Sequence, residues 1–339
     1  MRIRFILLFI VIAMALSACG GSGESSATAT QLATETPIIP PTLTVTPTIP
    51  LAILVLPVDL AIETSNLYQK TVYDLAQSAG YRFQVRNSLT PADVSEPGLK
   101  IVIALPPDPG VAALAASAQQ VQFLAISIPG LTAGGNLSVL GDNTQSDITA
   151  FLAGYTAALI TEDYRIGMMI PKDNPDALRS LNAYGNGMKF YCGVCRPFFY
   201  LPWTFPQYIE IPADEKEENY DAYADILILQ FKARTIFLHP EITISDLTTY
   251  IGTTGIFMIG TSTPAERPAG WVMTIQPDVI KAIQNAWPDL ASGQGGVTVQ
   301  SPLGLSDVDP TLLSPGKQRL VQQTLDDLQN GLINTGVGP

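Results

Sequence analysis

The stretch DITAFLAGYTAALITEDYRIGMMIP, residues 147–171, decides the fold. Its first half carries apolar side chains at helical spacing beside a face of small side chains, which predicts a closely packed amphipathic helix of about four turns. The apolar face comprises Ile148, Phe151, Leu152, Tyr155, Ala158 and Leu159, and the small face Ala150, Ala153, Gly154 and Ala157. Ser146 or Asp147 is the predicted N-cap. After a polar turn, Arg165 to Ile170 predicts a buried strand that ends at Pro171.

Outward from this stretch, apolar runs alternate with amphipathic runs. On the N-terminal side the sequence predicts strands over 51–56, 81–85, 100–105 and 123–128, and helices over 64–80 and 111–120. On the C-terminal side it predicts strands over 235–238, 256–259 and 271–275, and helices over 175–191, 221–231, 244–251, 277–287 and 314–331. Strands that alternate with helices of this length indicate parallel sheets with right-handed crossovers. The sequence therefore predicts an α/β protein with two Rossmann-like lobes in succession.

The N-terminus predicts export and lipidation. Residues 1–19 combine a short basic start, an apolar run too short to span a bilayer, and small residues before Cys19. Leu16-Ser17-Ala18-Cys19 is similar to a bacterial lipobox, in which the cysteine receives the lipid; an ordinary signal peptide with a chance cysteine is the alternative. The Thr- and Pro-rich segment 20–50 has only two charges, so it predicts a semi-extended tether at the cell membrane.

Composition restricts the class of partner. The chain has 339 residues, of which 47% are hydrophobic and only 14% charged, and its formal net charge is −12. Such a chain has ample apolar material for cores. An acidic protein with few charges is a poor match for a polyanion, so we expect no nucleic acid partner.

Catalytic and metal-binding motifs are not evident. The chain has one histidine, His239, and no HExxH, GxSxG or phosphate-binding glycine loop. Among 30 acidic residues some will be neighbours, which leaves a hydrolase as a third hypothesis. We predict no enzyme activity, no cofactor and no metal.

The sharpest local motif is Cys192-Gly193-Val194-Cys195. Outside the cytoplasm a structural disulfide is the plain interpretation, with a redox pair and a zinc site as alternatives. The aromatic, proline-rich segment 196–208 is either a rigid packed loop or a surface that offers Trp203 or Phe205 to a ligand or partner.

FLAGYTAALITEDYRIGMMI (151–170), SGQGGVTV (292–299) and LSPGKQRLVQQTLDDLQNGLI (313–333) together resemble the basic membrane protein family of lipoprotein substrate-binding proteins. The resemblance implies a type I periplasmic-binding fold that serves an ABC importer for nucleosides. It also implies that the chain returns to the first lobe, with residues 51–163 and 270–291 in the N-terminal lobe and 164–269 and 292–339 in the C-terminal lobe.

Candidate ligand contacts follow from the loops after strands, where open α/β sheets bind ligands. These loops contain Asp59, Asp173, His239, Thr261 and Ser262. The family's first-helix motif places Tyr68 and Gln69 at positions that contact the ligand, although Tyr68 also lies on a core stripe. The family has a ribose-binding Asp where this chain has Gly260-Thr261-Ser262-Thr263, a departure from the nucleoside site.

We therefore predict an extracytoplasmic, lipid-anchored monomer that closes on a small polar ligand and delivers it to an ABC permease. The alternative is a sensory or surface-binding lipoprotein with an altered cleft.

Overall fold

The computed structural model describes residues 48–141, 145–196, 200–262 and 264–338. The signal peptide, Cys19, residues 20–47 of the tether and Thr263 lie outside the described residues. In chain order the strands are β1 (Leu51–Val55), β2 (Arg82–Arg86), β3 (Leu99–Ala104), β4 (Gln122–Ile126), β5 (Leu137–Gly141), β6 (Ile166–Pro171), β7 (Gln207–Ile211), β8 (Thr235–Leu238), β9 (Phe257–Gly260), β10 (Trp271–Pro277), β11 (Thr298–Gln300) and β12 (Leu303–Ser306). The α-helices are α1 (Ile62–Ser78), α2 (Pro91–Val94), α3 (Val111–Ser117), α4 (Ser146–Ile160), α5 (Pro175–Cys192), α6 (Tyr220–Asp225), α7 (Ser245–Thr253), α8 (Val279–Ala291) and α9 (Pro315–Gln329).

The strands form two six-stranded sheets. The first has the order β11-β5-β4-β3-β1-β2 and all of its neighbours are parallel. The second has the order β12-β10-β9-β8-β6-β7 and is parallel except where β12 pairs with β10. The α/β prediction of two largely parallel sheets is confirmed.

The continuous apolar run in β1 is explained by burial on both faces of the first sheet. Leu51, Ile53 and Val55 belong to the core on the side of α3. Ala52 and Leu54 belong to the core on the other side, where α1 and α8 pack. Because alternate side chains of a strand point to opposite faces, a strand between two helical layers needs apolar residues throughout.

Helix α4 packs in the second lobe, against α5, α9 and strands of the second sheet. The family resemblance implies that residues 51–163 belong to the N-terminal lobe. Helix α4 lies within that range but packs in the second lobe, so the implied boundary comes too late in the chain. Twelve of its 15 residues are buried, which explains a helix that is apolar around most of its circumference. The helix begins at Ser146 after Gln145, one residue earlier than an N-cap at Ser146 would require, and no side chain caps it.

The helix pair α4–α5 depends on two glycines. A Cβ at Gly154 would collide with the carbonyl of Tyr184, and a Cβ at Gly187 would collide with the carbonyl of Phe151. The backbones therefore lie closer than any side chain would permit. The prediction of a small face for close packing agrees with this contact.

The C-terminal third of the chain alternates between lobes. Strand β10 lies in the second sheet, α8 packs on the first, β11 pairs in the first, and β12 with α9 returns to the second. Residues 270–291 thus divide between the lobes, as do residues 292–339. The reason is that the apolar stripe Ile283, Trp287 and Leu290 faces the first core, while β10 completes the second sheet.

Cys192 and Cys195 are joined by a disulfide at the end of α5. In the following segment Trp203 contacts the ring of Phe231 and donates its Nε1 hydrogen to the Phe231 carbonyl at 3.3 Å, and Phe205 is buried, whereas Tyr200 is exposed. Strand β7 begins at Gln207, inside the stretch predicted as a loop. None of the helices in the described ranges combines the length and apolarity that a membrane span requires.

Replacing Cys192 and Cys195 together with serine should lower the free energy of unfolding by about 2 kcal/mol or less, because the disulfide closes a very short loop and constrains the unfolded chain little. Denaturant unfolding of the double variant measures this, and the reduced wild-type protein should match it. A loss well above about 4 kcal/mol would mean that the disulfide does more than restrict the unfolded chain.

Candidate functional site

One cavity draws on the carboxyl ends of strands in both sheets, and we call it the interlobe cavity. From the first sheet it is lined by Ser127, Leu140 and Gly141, which follow or end β4 and β5. Ser301 follows β11, also of the first sheet. From the second sheet it is lined by Thr261 and Ser262, which follow β9, and by Gln276 and Pro277, which end β10, and Val279 at the start of α8 completes the lining. Its volume is about 360 Å³. The carboxyl ends of the two sheets therefore meet at one concave site, as expected of ligand sites in open α/β sheets.

A second cavity, the second-sheet cavity, lies within the C-terminal lobe and has a volume of about 150 Å³. Its apolar lining comes from Phe237, Pro240, Ile275, Pro277 and Leu303, and its polar lining from Ser146, Thr149, Ser180, His239 and Thr261. The N-terminal ends of α4 and α5 supply three of the hydroxyls. An apolar base with a few hydroxyls suits a small molecule that has an apolar face and hydrogen-bonding groups at its edge.

A third cavity, the crossing cavity, lies where the chain passes from β10 to α8. It is lined by Thr64, Leu67 and Tyr68 of α1, by residues 276–280, and by Gly304, Leu305 and Ser306 of β12. Its volume is about 370 Å³. The interlobe cavity shares Thr261 and Pro277 with the second-sheet cavity, and Gln276, Pro277 and Val279 with the crossing cavity.

The three cavities contain little charge. Among the described residues that line them, none is Lys or Arg, and Asp278 in the crossing cavity is the one carboxylate. A ligand with a phosphate or carboxylate would lose its hydration without gaining a cation. The lining therefore favours neutral or cationic ligands over anionic ones.

His239 is held neutral in the second-sheet cavity. Burial lowers the pKa of its imidazole, and this outweighs the opposite effect of nearby Glu241 and Asp176. Its Nδ1 accepts a hydrogen bond from the backbone N–H of Glu241 at 3.4 Å, a geometry that requires an unprotonated Nδ1. At neutral pH His239 thus offers a ligand hydrogen bonds without a positive charge.

Folding stability should fall as the pH drops from 7.5 to 5.5, in part through His239. The unfolded chain binds a proton at this side chain near its ordinary pKa of about 6.5, whereas the folded chain resists it, so the unfolded state gains protons first. The contribution is at most about 1.4 kcal/mol per pH unit. Denaturant unfolding of wild type and His239→Asn at both pH values measures it. The variant should show the shallower pH dependence, and equal slopes would contradict a buried neutral imidazole.

The predicted contacts divide into two groups. His239 and Thr261 meet in the second-sheet cavity, Thr261 and Ser262 in the interlobe cavity, and Tyr68 lines the crossing cavity. The other three line none of these cavities. Asp59 is exposed, Asp173 is exposed in a left-handed backbone conformation, and Gln69 donates to Ser65 Oγ at 2.9 Å.

Several lining residues were not predicted. Ser127 lies inside the strand predicted over 123–128, although β4 ends one residue before it. Thr149 and Ser180 lie inside helices whose packing the periodicity alone does not reveal. Gln276 was within reach of the sequence, because it stands between a predicted strand and Pro277. In the described ranges, no cluster of three or more His, Cys, Asp or Glu side chains has the arrangement of a metal site.

Comparison with known proteins concerns the fold. No protein-family model matches the sequence, and a search of curated proteins finds no match. The chain is similar to an ABC transporter system solute-binding protein from Conexibacter woesei DSM 14684, with 15% identity over 85% of this chain and 98% of that one, and a TM-score of 0.52. A periplasmic ribose ABC transporter from the same organism has 14% identity over 81% and 95% of the two chains, with a TM-score of 0.46. A transcriptional activator of the comK gene from Bacillus halodurans has 10% identity over 83% and 98%, with a TM-score of 0.47. At these identities the likeness is one of architecture. The protein has an α/β fold of the type I periplasmic-binding kind.

Proposed function

We propose that this protein is an extracytoplasmic solute-binding lipoprotein of an ABC importer, and that it holds a small, polar, nucleoside-like ligand between its lobes. The observation that carries the proposal is the interlobe cavity, because its lining comes from the carboxyl ends of strands in both sheets. The resemblance to the basic membrane protein family supports the nucleoside class and the importer.

The mechanism is binding coupled to closure. A ligand that touches Ser127 on the first lobe and Thr261 on the second gains contacts only when the lobes approach. It therefore favours the closed state by its differential affinity for that state. An importer can then distinguish the loaded protein from the empty one by its shape.

Each predicted site residue has a role in this proposal. His239, Thr261 and Ser262 donate or accept hydrogen bonds from the second lobe, and Tyr68 packs from the first. Asp59 and Asp173 stand in the loops that follow β1 and β6, and Gln69 stands in the middle of α1; in this proposal closure brings the three side chains towards the ligand. The neutral lining is consistent with an uncharged base and sugar.

Membrane attachment rests on the lipobox, with Cys19 as the lipidated residue. Labelling of cells with a clickable fatty acid should mark the wild-type protein and leave Cys19→Ala unmarked. Label on the variant would overturn the lipid anchor and leave the binding proposal untouched.

A panel of nucleosides, nucleobases, sugars and amino acids tests the binding function by thermal shift. A ligand at 100 times its dissociation constant stabilises the folded state by about 2.7 kcal/mol, which is a readily measured rise in midpoint. We expect a nucleoside or base to raise it. If nothing in the panel raises the midpoint, and nothing co-purifies, solute binding is contradicted.

A sensory or surface-binding lipoprotein is the second candidate. It is favoured by Gly260-Thr261-Ser262, where hydroxyls stand in place of the family's ribose-binding carboxylate. A charged acceptor binds a sugar hydroxyl more strongly than a neutral one. Uptake of the identified ligand by cells with and without this protein separates the two functions. Deletion of a transport protein should lower the uptake, whereas deletion of a sensor should leave it unchanged.

A further inference from the structure

The crossing cavity contains the one carboxylate found among the described residues that line the three cavities. Asp278 follows Pro277 at the end of β10 and caps α8, where its Oδ1 accepts the backbone N–H of Lys281 at 2.8 Å. Its Oδ2 accepts no hydrogen bond from the described residues. One carboxylate oxygen is therefore fixed by the helix while the other is available.

Two neighbours of Asp278 suit a hydrogen-bonded ligand. Ser306 also lines the crossing cavity, and its Oγ is buried without a hydrogen-bond partner among the described residues. Burial and, to a lesser degree, the charge of nearby Asp278 raise the pKa of the Tyr68 hydroxyl, so this hydroxyl remains protonated. A buried hydroxyl without a partner is uncommon in folded proteins and is often satisfied by a bound molecule.

The remainder of the cavity is apolar and spans both lobes. Leu67 and Tyr68 come from α1 of the first lobe, Leu305 from β12 of the second, and Val279 and Ile280 from the start of α8. Gly304 gives access to Asp278, since a Cβ there would lie 3.0 Å from the Asp278 Cβ and 3.4 Å from Oδ2. The site thus combines one negative charge, a hydroxyl and an apolar wall.

We propose that the crossing cavity is a binding site for a small organic amine, whose ammonium group pairs with Asp278 Oδ2 and donates to Ser306 Oγ while its apolar body packs on Leu67 and Tyr68. A charge-assisted hydrogen bond in a partly buried site is stronger than a neutral one. The amine contacts both lobes and the segment that joins them, so it favours one interlobe angle. Asp278 and Ser306 line the crossing cavity and not the interlobe cavity, whereas Gln276, Pro277 and Val279 line both.

The test compares amines with matched alcohols. Phenethylamine and 2-phenylethanol have the same apolar body, and calorimetric titration at pH 7 measures each against the wild-type protein. Asp278→Asn removes the charge and keeps a good helix cap, so it should fold normally. Asp246→Asn, an exposed carboxylate in the first turn of α7, is the matched control.

We expect phenethylamine to bind at least about tenfold more tightly than the alcohol, Asp278→Asn to remove that difference, and Asp246→Asn to preserve it. Ser306→Ala should weaken the amine several-fold without lowering the thermal midpoint, because its hydroxyl has no partner to lose. Equal affinities for amine and alcohol, or an unchanged preference in Asp278→Asn, would overturn the amine site. A solute from the nucleoside panel that binds wild type and Asp278→Asn alike would leave the proposed function standing.

Discussion

Gly187→Ala is expected to lower the free energy of unfolding by about 3 kcal/mol or more, at the upper end of overpacking effects. The added methyl group would meet the carbonyl oxygen of Phe151 and the backbone nitrogen of Tyr155 on α4. Neither atom can rotate away, because both belong to the backbone of a buried helix, so the two helices must separate. Gly154→Ala should have a similar effect through the carbonyl of Tyr184.

Gly316→Ala is the matched control, because Gly316 is also helical but a Cβ there meets no atom within 4 Å. Helix propensity alone favours alanine over glycine by up to about 1 kcal/mol, so this variant should be neutral or more stable. Denaturant unfolding of the three variants measures the contrast. If Gly187→Ala and Gly316→Ala have equal stabilities, the close approach of α4 and α5 is contradicted.

Thr261→Trp is expected to weaken binding of the cleft ligand by at least about 100-fold, equivalent to about 2.7 kcal/mol. Thr261 follows β9 directly and lines both the interlobe and the second-sheet cavity, so an indole at this position fills space in both. The side chain is partly exposed, so the larger group should not disturb the core. The fold should therefore persist while the ligand is excluded.

Thr253→Trp provides the control for Thr261→Trp. Thr253 is exposed at the end of α7, before β9 begins, and lines none of the three cavities. This variant should bind the ligand as the wild type does. Titration of the compound selected by thermal shift gives both affinities, and full affinity in Thr261→Trp would place the ligand elsewhere.

The periodicity of the sequence predicted most elements, and the physical reason is clear in the fully buried ones. The side chains of β1 alternate between two cores, so its sequence is uniformly apolar and easily recognised, and in β8 only the first residue, Thr235, is polar. Strands β5, β7, β11 and β12 were missed. For β11 and β12 the reason is that edge strands of three and four residues carry little periodicity. The helix predicted over 221–231 instead divides into α6 and a π-helical turn, Ile226–Gln230, which no local pattern indicated.

The boundaries between the lobes were harder to predict from the sequence, because they depend on which of the two cores the apolar side chains of each element face. The helix predicted over 277–287 is present as α8, but no feature of β10 indicates that it pairs with β9 rather than with a strand of the first sheet. The same limit applies to the site. His239 and Thr261 could be placed at strand ends, whereas Ser180 contributes because α5 packs on the second sheet, against β6, and brings that position to the cavity.

The central claim is that two lobes close on a ligand at the carboxyl ends of their strands, and an interlobe distance tests it most directly. Val58 in the loop after β1 and Lys172 after β6 are exposed, so cysteines at these positions can carry spin labels on opposite lobes. We predict that the ligand selected by thermal shift shortens the label distance in the wild-type background and leaves it unchanged in Thr261→Trp. A distance that stays constant when the wild-type background is saturated with that ligand would contradict closure.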